Sequence, residues 1–93
     1  MKYFVYILKS LEFDKTYIGI SNEPDRRLKE HNSGKSMFTR KFMPWKIVYK
    51  EELDSRKLAR EREKYFKSAA GRRKIKLIMK NAHVAQLDRA TVS

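Results

Sequence analysis

Tyr3-Phe4-Val5-Tyr6-Ile7-Leu8 and, after a polar connector, Tyr17-Ile18-Gly19-Ile20 are the stretches on which the fold turns. Both are rich in the aromatic and β-branched residues that suit a pleated sheet, and their closeness in the chain predicts a hairpin-like pair of strands. Side chains alternate along a strand, so Tyr6 shares a face with Phe4 and Leu8, and Tyr17 shares one with Gly19. Gly19 leaves space beside Tyr17 for a substrate backbone or another side chain.

Asn22, with Asp25 three residues later and Pro24 near the first turn, marks a helix start, and Gly34 marks its stop. On that helix Arg27 and His31 stand four apart on one face, with Leu28 beside them as a core anchor. Residues 33–43 lack periodicity and read as a mobile basic loop carrying Lys35, Arg40 and Lys41. Trp45-Lys46-Ile47-Val48-Tyr49, after Pro44, reads as a third strand with Trp45, Ile47 and Tyr49 on one side. Asp54 or Ser55 caps the next helix, whose stripe of Leu58, Ala59, Tyr65, Phe66 and Ala69 continues until Gly71 stops it. Glu61 and Glu63 border that stripe on opposite sides, and periodicity does not choose between them. Arg62 lies near its middle, where it must snorkel or meet an anion; snorkelling is the preferred reading. A last basic helix over 72–80 sets Ile75, Ile78 and Met79 against the core, and 82–93 reads as a flexible tail. The expected architecture is therefore α+β and sandwich-like: a small three-stranded sheet flanked by helices, in the order β-β-α-β-α-α, within one domain of residues 1–81.

A chain of 93 residues with 41% hydrophobic residues and one Trp supports one small core. It has no cysteine, which excludes disulfides and thiolate metal sites, and only His31 and His83 offer imidazole. A metal here is then a hard cation held by carboxylates and water. Lys and Arg number 23 against 11 Asp and Glu, a net +12 spread along the chain, which points to a polyanionic partner rather than a merely soluble basic surface. The run from Tyr3 to Leu8 is of strand length and ends at Lys9 and Ser10. With no long apolar span or secretory leader, no membrane partner is expected and a soluble cytoplasmic protein is.

The order Tyr6, Tyr17-Ile18-Gly19, Arg27, His31, then a glutamate-bearing helix after a Pro-Trp strand, resembles the GIY-YIG nuclease superfamily over residues 2–80. Arg26-Arg27-Leu28-Lys29-Glu30-His31-Asn32-Ser33-Gly34 is the strongest match. Pro44-Trp45-Lys46-Ile47-Val48-Tyr49 and residues 59–68 support it. Within the superfamily the chain looks most like the small stand-alone group related to the N-terminal domain of the excinuclease C component and to the Slx-type structure-specific resolvase. It departs from the name-giving pattern at Phe4 and Val5, where Gly and Ile would stand.

The resemblance implies a DNA endonuclease of repair or recombination, using Mg²⁺ or Mn²⁺ on DNA that is branched or damaged, with a possible protein partner. It implies that Tyr6 and Tyr17 are the tyrosines of the two triplets, that Arg27 contacts the scissile phosphate, and that Glu63 ligates the metal, with Glu61 as fallback. Asn81 is a weak counterpart for a further polar residue. His31 assists proton transfer or orients Tyr6, and Arg26, Lys35, Arg40, Lys41, Lys67 and Arg72 are the expected nucleic-acid contacts.

Phosphodiester cleavage needs an activated water, charge neutralisation and a protonated leaving oxygen. A phenol of pKa about 10 is a poor base unless cations lower it, and Arg26, Arg27 and lysines are at hand. The plain readings are core packing for the tyrosines, a structural histidine, a solvated helix face for Arg27 and an ion pair of Glu63 with Lys64 or Lys67. Two functional alternatives remain: a binding module of little activity acting with a partner, and an RNA-associated basic domain.

Overall fold

In the computed structural model, residues 2–80 are described in full and residues 81–92 by the backbone alone, so Asn81 and the tail expected over 82–93 lie outside the fully described residues. Strands β1 (Tyr3–Ser10) and β2 (Thr16–Ser21) precede helix α1 (Pro24–Asn32), a 3-10 turn (Thr39–Phe42), strand β3 (Trp45–Leu53) and helices α2 (Arg56–Lys67) and α3 (Ala69–Val92). This is the expected β-β-α-β-α-α order. The strands form one sheet in the order β2-β1-β3, antiparallel throughout.

The central strand is apolar on both sides, which is why its six-residue run shows no polar alternation. Tyr6 and Leu8 point to the α1 side, where they pack with Trp45, Tyr17, Leu28, Phe42 and Ile47. Val5 and Ile7 point to the other side, against Phe66 of α2, Ile75 of α3 and half-buried Ile18, Ile20 and Tyr49. The expectation that Trp45, Ile47 and Tyr49 share one face holds only for the first two. Ile7 pairs with Tyr49 while Leu8 pairs with Ile47, so Val48 is an extra residue that bulges the strand. A bulge of one residue reverses the alternation beyond it, and Tyr49 meets the Phe66 ring edge-on at 5.7 Å on the opposite face.

Several local expectations change for identifiable reasons. Glu23, not Asn22, is the α1 N-cap residue, and it makes no side-chain cap; its N–H instead donates to Ser21 Oγ at 2.9 Å. Ser55 caps α2 by accepting from Leu58 N–H. Of the two readings for Arg62 the anion, not snorkelling, is the outcome: its Nε donates to the Glu51 carboxylate at 3.0 Å, and its guanidinium lies over the Tyr65 and Phe66 rings at 4.7 and 4.9 Å. The segment read as a mobile loop contains the 3-10 turn and is pinned by fully buried Thr39.

Gly71 does not stop α2, which ends at Lys67; it sits inside α3, where a Cβ would stand 2.0 Å from the Tyr65 carbonyl oxygen and 2.4 Å from Phe66 Cα. Its missing side chain lets the start of α3 cross the end of α2 in contact. Backbone cannot retreat as a side chain can, so Gly71→Ala is expected to lower the unfolding free energy by about 2 kcal/mol or more, read by urea denaturation; a loss under about 0.5 kcal/mol would contradict this packing.

Candidate active site

The site begins with Tyr6, whose neighbour across the β1–β2 ladder is Gly19. A Cβ at position 19 would lie 2.6 Å from Tyr6 Oη and 2.7 Å from Cζ, so the space that Gly19 leaves is taken by the Tyr6 phenol. Tyr6 is 1% exposed, and a hydroxyl so buried needs partners. Its oxygen lies 3.3 Å from His31 Nε2 and beside the Arg27 guanidinium. His31 Nδ1 in turn is 2.9 Å from Thr39 Oγ1, and the Thr39 carbonyl accepts from the Trp45 indole N–H at 2.7 Å. Tyr6, His31 and Thr39 thus form one buried chain of hydrogen bonds drawn from β1, α1 and the 3-10 turn.

Burial sets the protonation states. It raises the Tyr6 pKa above the ordinary phenol value; Tyr17 adds to the rise and Arg27 opposes it. The expectation that nearby cations make a tyrosine basic therefore fails for Tyr6: Arg27 is there, but desolvation outweighs it. Arg26 is spent on Glu23 and Glu30, at 3.1 and 2.7 Å. Burial also lowers the His31 pKa, Arg27 lowers it further and Glu30 works against both, so the ring is neutral at pH 7. Arg27 only donates and cannot take the phenol hydrogen, so Tyr6 sends that hydrogen to His31 Nε2. The neutral ring then carries its proton on Nδ1 and donates to Thr39.

Tyr17 completes the aromatic wall, with its ring 4.8 Å from the His31 ring and 6.4 Å from Tyr6. Arg27, on the same α1 face as His31, is ion-paired with Glu30, whose carboxyl is held below its usual range chiefly by that hydrogen bond. Arg27, Glu30, His31, Lys35 and Ser36 line a cleft of about 110 Å³. Asn32 ties the end of α1 to the start of β3, accepting from Trp45 N–H at 2.7 Å and donating to the Trp45 carbonyl at 3.0 Å.

The structure therefore gathers Tyr6, Tyr17, Arg27 and His31, with Lys35 at the mouth. Glu63 stands apart on α2, one turn from fully buried Ala59 and one from fully buried Phe66. This spacing turns it toward the sheet, and it is half-buried where Glu61 is exposed. Its ion-pair partner is Lys67 at 3.3 Å. Among the described residues, no three His, Cys, Asp or Glu side chains cluster. Arg40 and Lys41 are exposed on the 3-10 turn. Lys67 and Arg72 line a separate groove of about 550 Å³ with Ile18, Phe66, Ile75 and Met79. Sequence reasoning missed Thr39 altogether: a threonine in an aperiodic basic segment carries no signal until the fold lays it against His31.

Two outcomes follow from the chain of hydrogen bonds. A histidine held below its unfolded pKa stabilises the fold above about pH 6.5 and loses that contribution as pH falls, because the unfolded state then binds the proton first. Urea midpoints should fall on acidification from neutral pH, and His31→Asn should flatten this dependence; an unchanged slope would contradict it. Thr39→Val, which leaves Nδ1 without a partner, is expected to cost about 1–3 kcal/mol in the same assay, and a neutral effect would show that the contact is dispensable.

Compared with known proteins, the chain matches the model of the GIY-YIG catalytic domain over residues 2–76. It is 39% identical over 83 residues to the UPF0213 protein of Syntrophus aciditrophicus, covering 86% of this chain and 93% of that one. It is 37% identical over 76 residues to a UPF0213 protein of Clostridium perfringens, covering 81% of each. The solution NMR structure of a UPF0213 protein from Bacillus halodurans is similar at 32% identity with a TM-score of 0.51, over 85% of this chain and 84% of that one.

Proposed function

The chain belongs to the GIY-YIG family, a nuclease superfamily, and from that premise we propose that it is a metal-dependent endonuclease hydrolysing phosphodiester bonds in DNA, in repair or recombination. The observation that carries this reading is the gathering of Tyr6 and Tyr17 around His31, which with Arg27 and Lys35 lines the cleft. Two cations at the mouth of a cleft suit a phosphate, and Arg27 suits its non-bridging oxygens because the guanidinium fork matches them. Occupancy requires exchange: Arg27 must release Glu30 as the phosphate arrives.

Tyr6 need not ionise to move a proton. Once Arg27 moves off Glu30 toward the phosphate and uncovers the buried phenol, the Tyr6 oxygen accepts one from the attacking water as its own passes to His31 Nε2, and the resulting imidazolium keeps its Nδ1–H on Thr39. Charge accumulating on the phosphoryl oxygens offsets the burial that disfavours this imidazolium. Tyr17, whose ring stands 4.8 Å from that of His31, orients the water.

The family implies a divalent cation, and the donor set here is compatible with one. Mg²⁺ keeps most of its waters and asks the protein for one or two carboxylates, and Glu63 is the half-buried, sheet-facing carboxylate of α2. On binding Mg²⁺ or Mn²⁺, Glu63 would give up Lys67, and the cation, held on the α2 side of the sheet, would supply Lewis-acid chemistry to a phosphodiester that reaches across to that side.

A second reading, a nucleic-acid-binding module of little activity working with a partner, is favoured by the position of Glu63, which pairs with Lys67 on its own helix and not with the Tyr6–His31 group. Nicking of plasmid by purified protein with Mg²⁺ or Mn²⁺ separates the two. The nuclease reading expects cleavage that EDTA abolishes and that Arg27→Ala or Glu63→Ala lowers about 10²-fold or more while unfolding curves hold. Steeply salt-dependent binding without turnover would instead establish the module.

A further inference from the structure

A row of rings leads from the site out over the surface. Tyr17 and Phe38 are 6.3 Å apart, Phe38 and Phe42 5.5 Å, and Phe42 and Phe13 5.4 Å edge-on. The rings come from β2, the 3-10 segment and the β1–β2 connector, which are tied together by Ser10 Oγ donating to the Phe42 carbonyl at 2.7 Å and Leu11 N–H to the Pro44 carbonyl at 2.9 Å. Despite that anchoring the row is not covered: Phe38 is 52% exposed and Phe13 46%, with Met37 and Leu11 exposed beside them. Large apolar side chains exposed together in so small a protein mark a contact surface.

Cations interleave with these rings. Lys15 Nζ lies 5.2 Å from the Phe42 ring centre, Arg40 and Lys41 precede Phe42 on the same turn, and Lys35 stands at the cleft. Exposed ring faces set among cations, continuous with a phosphate cleft, are the composition of a surface that holds unstacked bases and their backbone. A continuous duplex keeps its base faces inside and leaves such rings without partners. A second copy of a chain carrying +12 is repelled.

Resting on the phosphodiesterase reading above, we propose that the strip formed by Tyr17, Phe38, Phe42 and Phe13 receives unpaired bases next to the scissile phosphate. The substrate is then a nucleic-acid strand that is single-stranded or frayed on at least one side of the cleavage point.

Binding measured in EDTA tests this apart from catalysis. Fluorescence anisotropy would compare a labelled mixed-sequence single-stranded DNA oligonucleotide with the same strand annealed to its complement. The double variant Phe13→Ala, Phe38→Ala is expected to weaken single-strand binding by about tenfold or more and duplex binding by less than about twofold, while Phe38→Tyr keeps wild-type affinity. Equal losses on both oligonucleotides, or no loss on either, would overturn the proposal. Wild-type protein that ignores the single strand yet binds and nicks duplex would also overturn it, leaving the phosphodiesterase reading intact; binding to neither would sink both. A protein ligand displacing the strand from the same rings would reassign the surface and count against the proposal.

Discussion

A phenol with almost no access to water has to be hydrogen-bonded, and the satisfaction of Tyr6 organises the site side of this fold. It requires Gly19 opposite on β2, because any side chain there would strike the ring. It requires His31 on α1, and His31 requires Thr39. Thr39 in turn holds the Trp45 indole, so the start of β3, the 3-10 turn and α1 are positioned by one line of buried polar contacts. Within the small core that 93 residues can build, such a line fixes geometry that apolar packing alone leaves adjustable.

The same line explains the division of labour across the sheet. Its α1 face is polar at the centre, with tyrosine, histidine and arginine around a cleft, and is where the catalytic reading belongs. The α2 and α3 face is an apolar core of Val5, Ile7, Phe66 and Ile75, and there the guanidinium of Arg62 is neutralised by Glu51. Basic charge is spread over both sides. Cations near the cleft fit a phosphate, while Lys67 and Arg72 border a different groove. Net charge identifies the class of partner, not the place where it sits.

Much of this was legible in the chain. Residues 3–8 and 17–20 had to be strands because their β-branched and aromatic runs are too short for helices, and Arg27 and His31 share a helix face by spacing alone. The misses each come from contacts between distant residues. The Val48 bulge is a matter of pairing with β1, invisible along β3 itself. Gly71 looks like a helix stop because glycine commonly is one, yet its role is to admit another backbone. Whether a cation or burial governs the Tyr6 pKa depends on how deeply the ring is packed. The aromatic row draws its members from three segments, so no local motif announces it.

The most direct measurement is the ¹⁵N chemical shifts of the His31 ring nitrogens near neutral pH. The buried hydrogen-bond chain requires a neutral imidazole protonated on Nδ1, with Nε2 accepting from Tyr6. An Nε2-protonated ring, or an imidazolium under those conditions, would contradict both that chain and the proton path drawn through it.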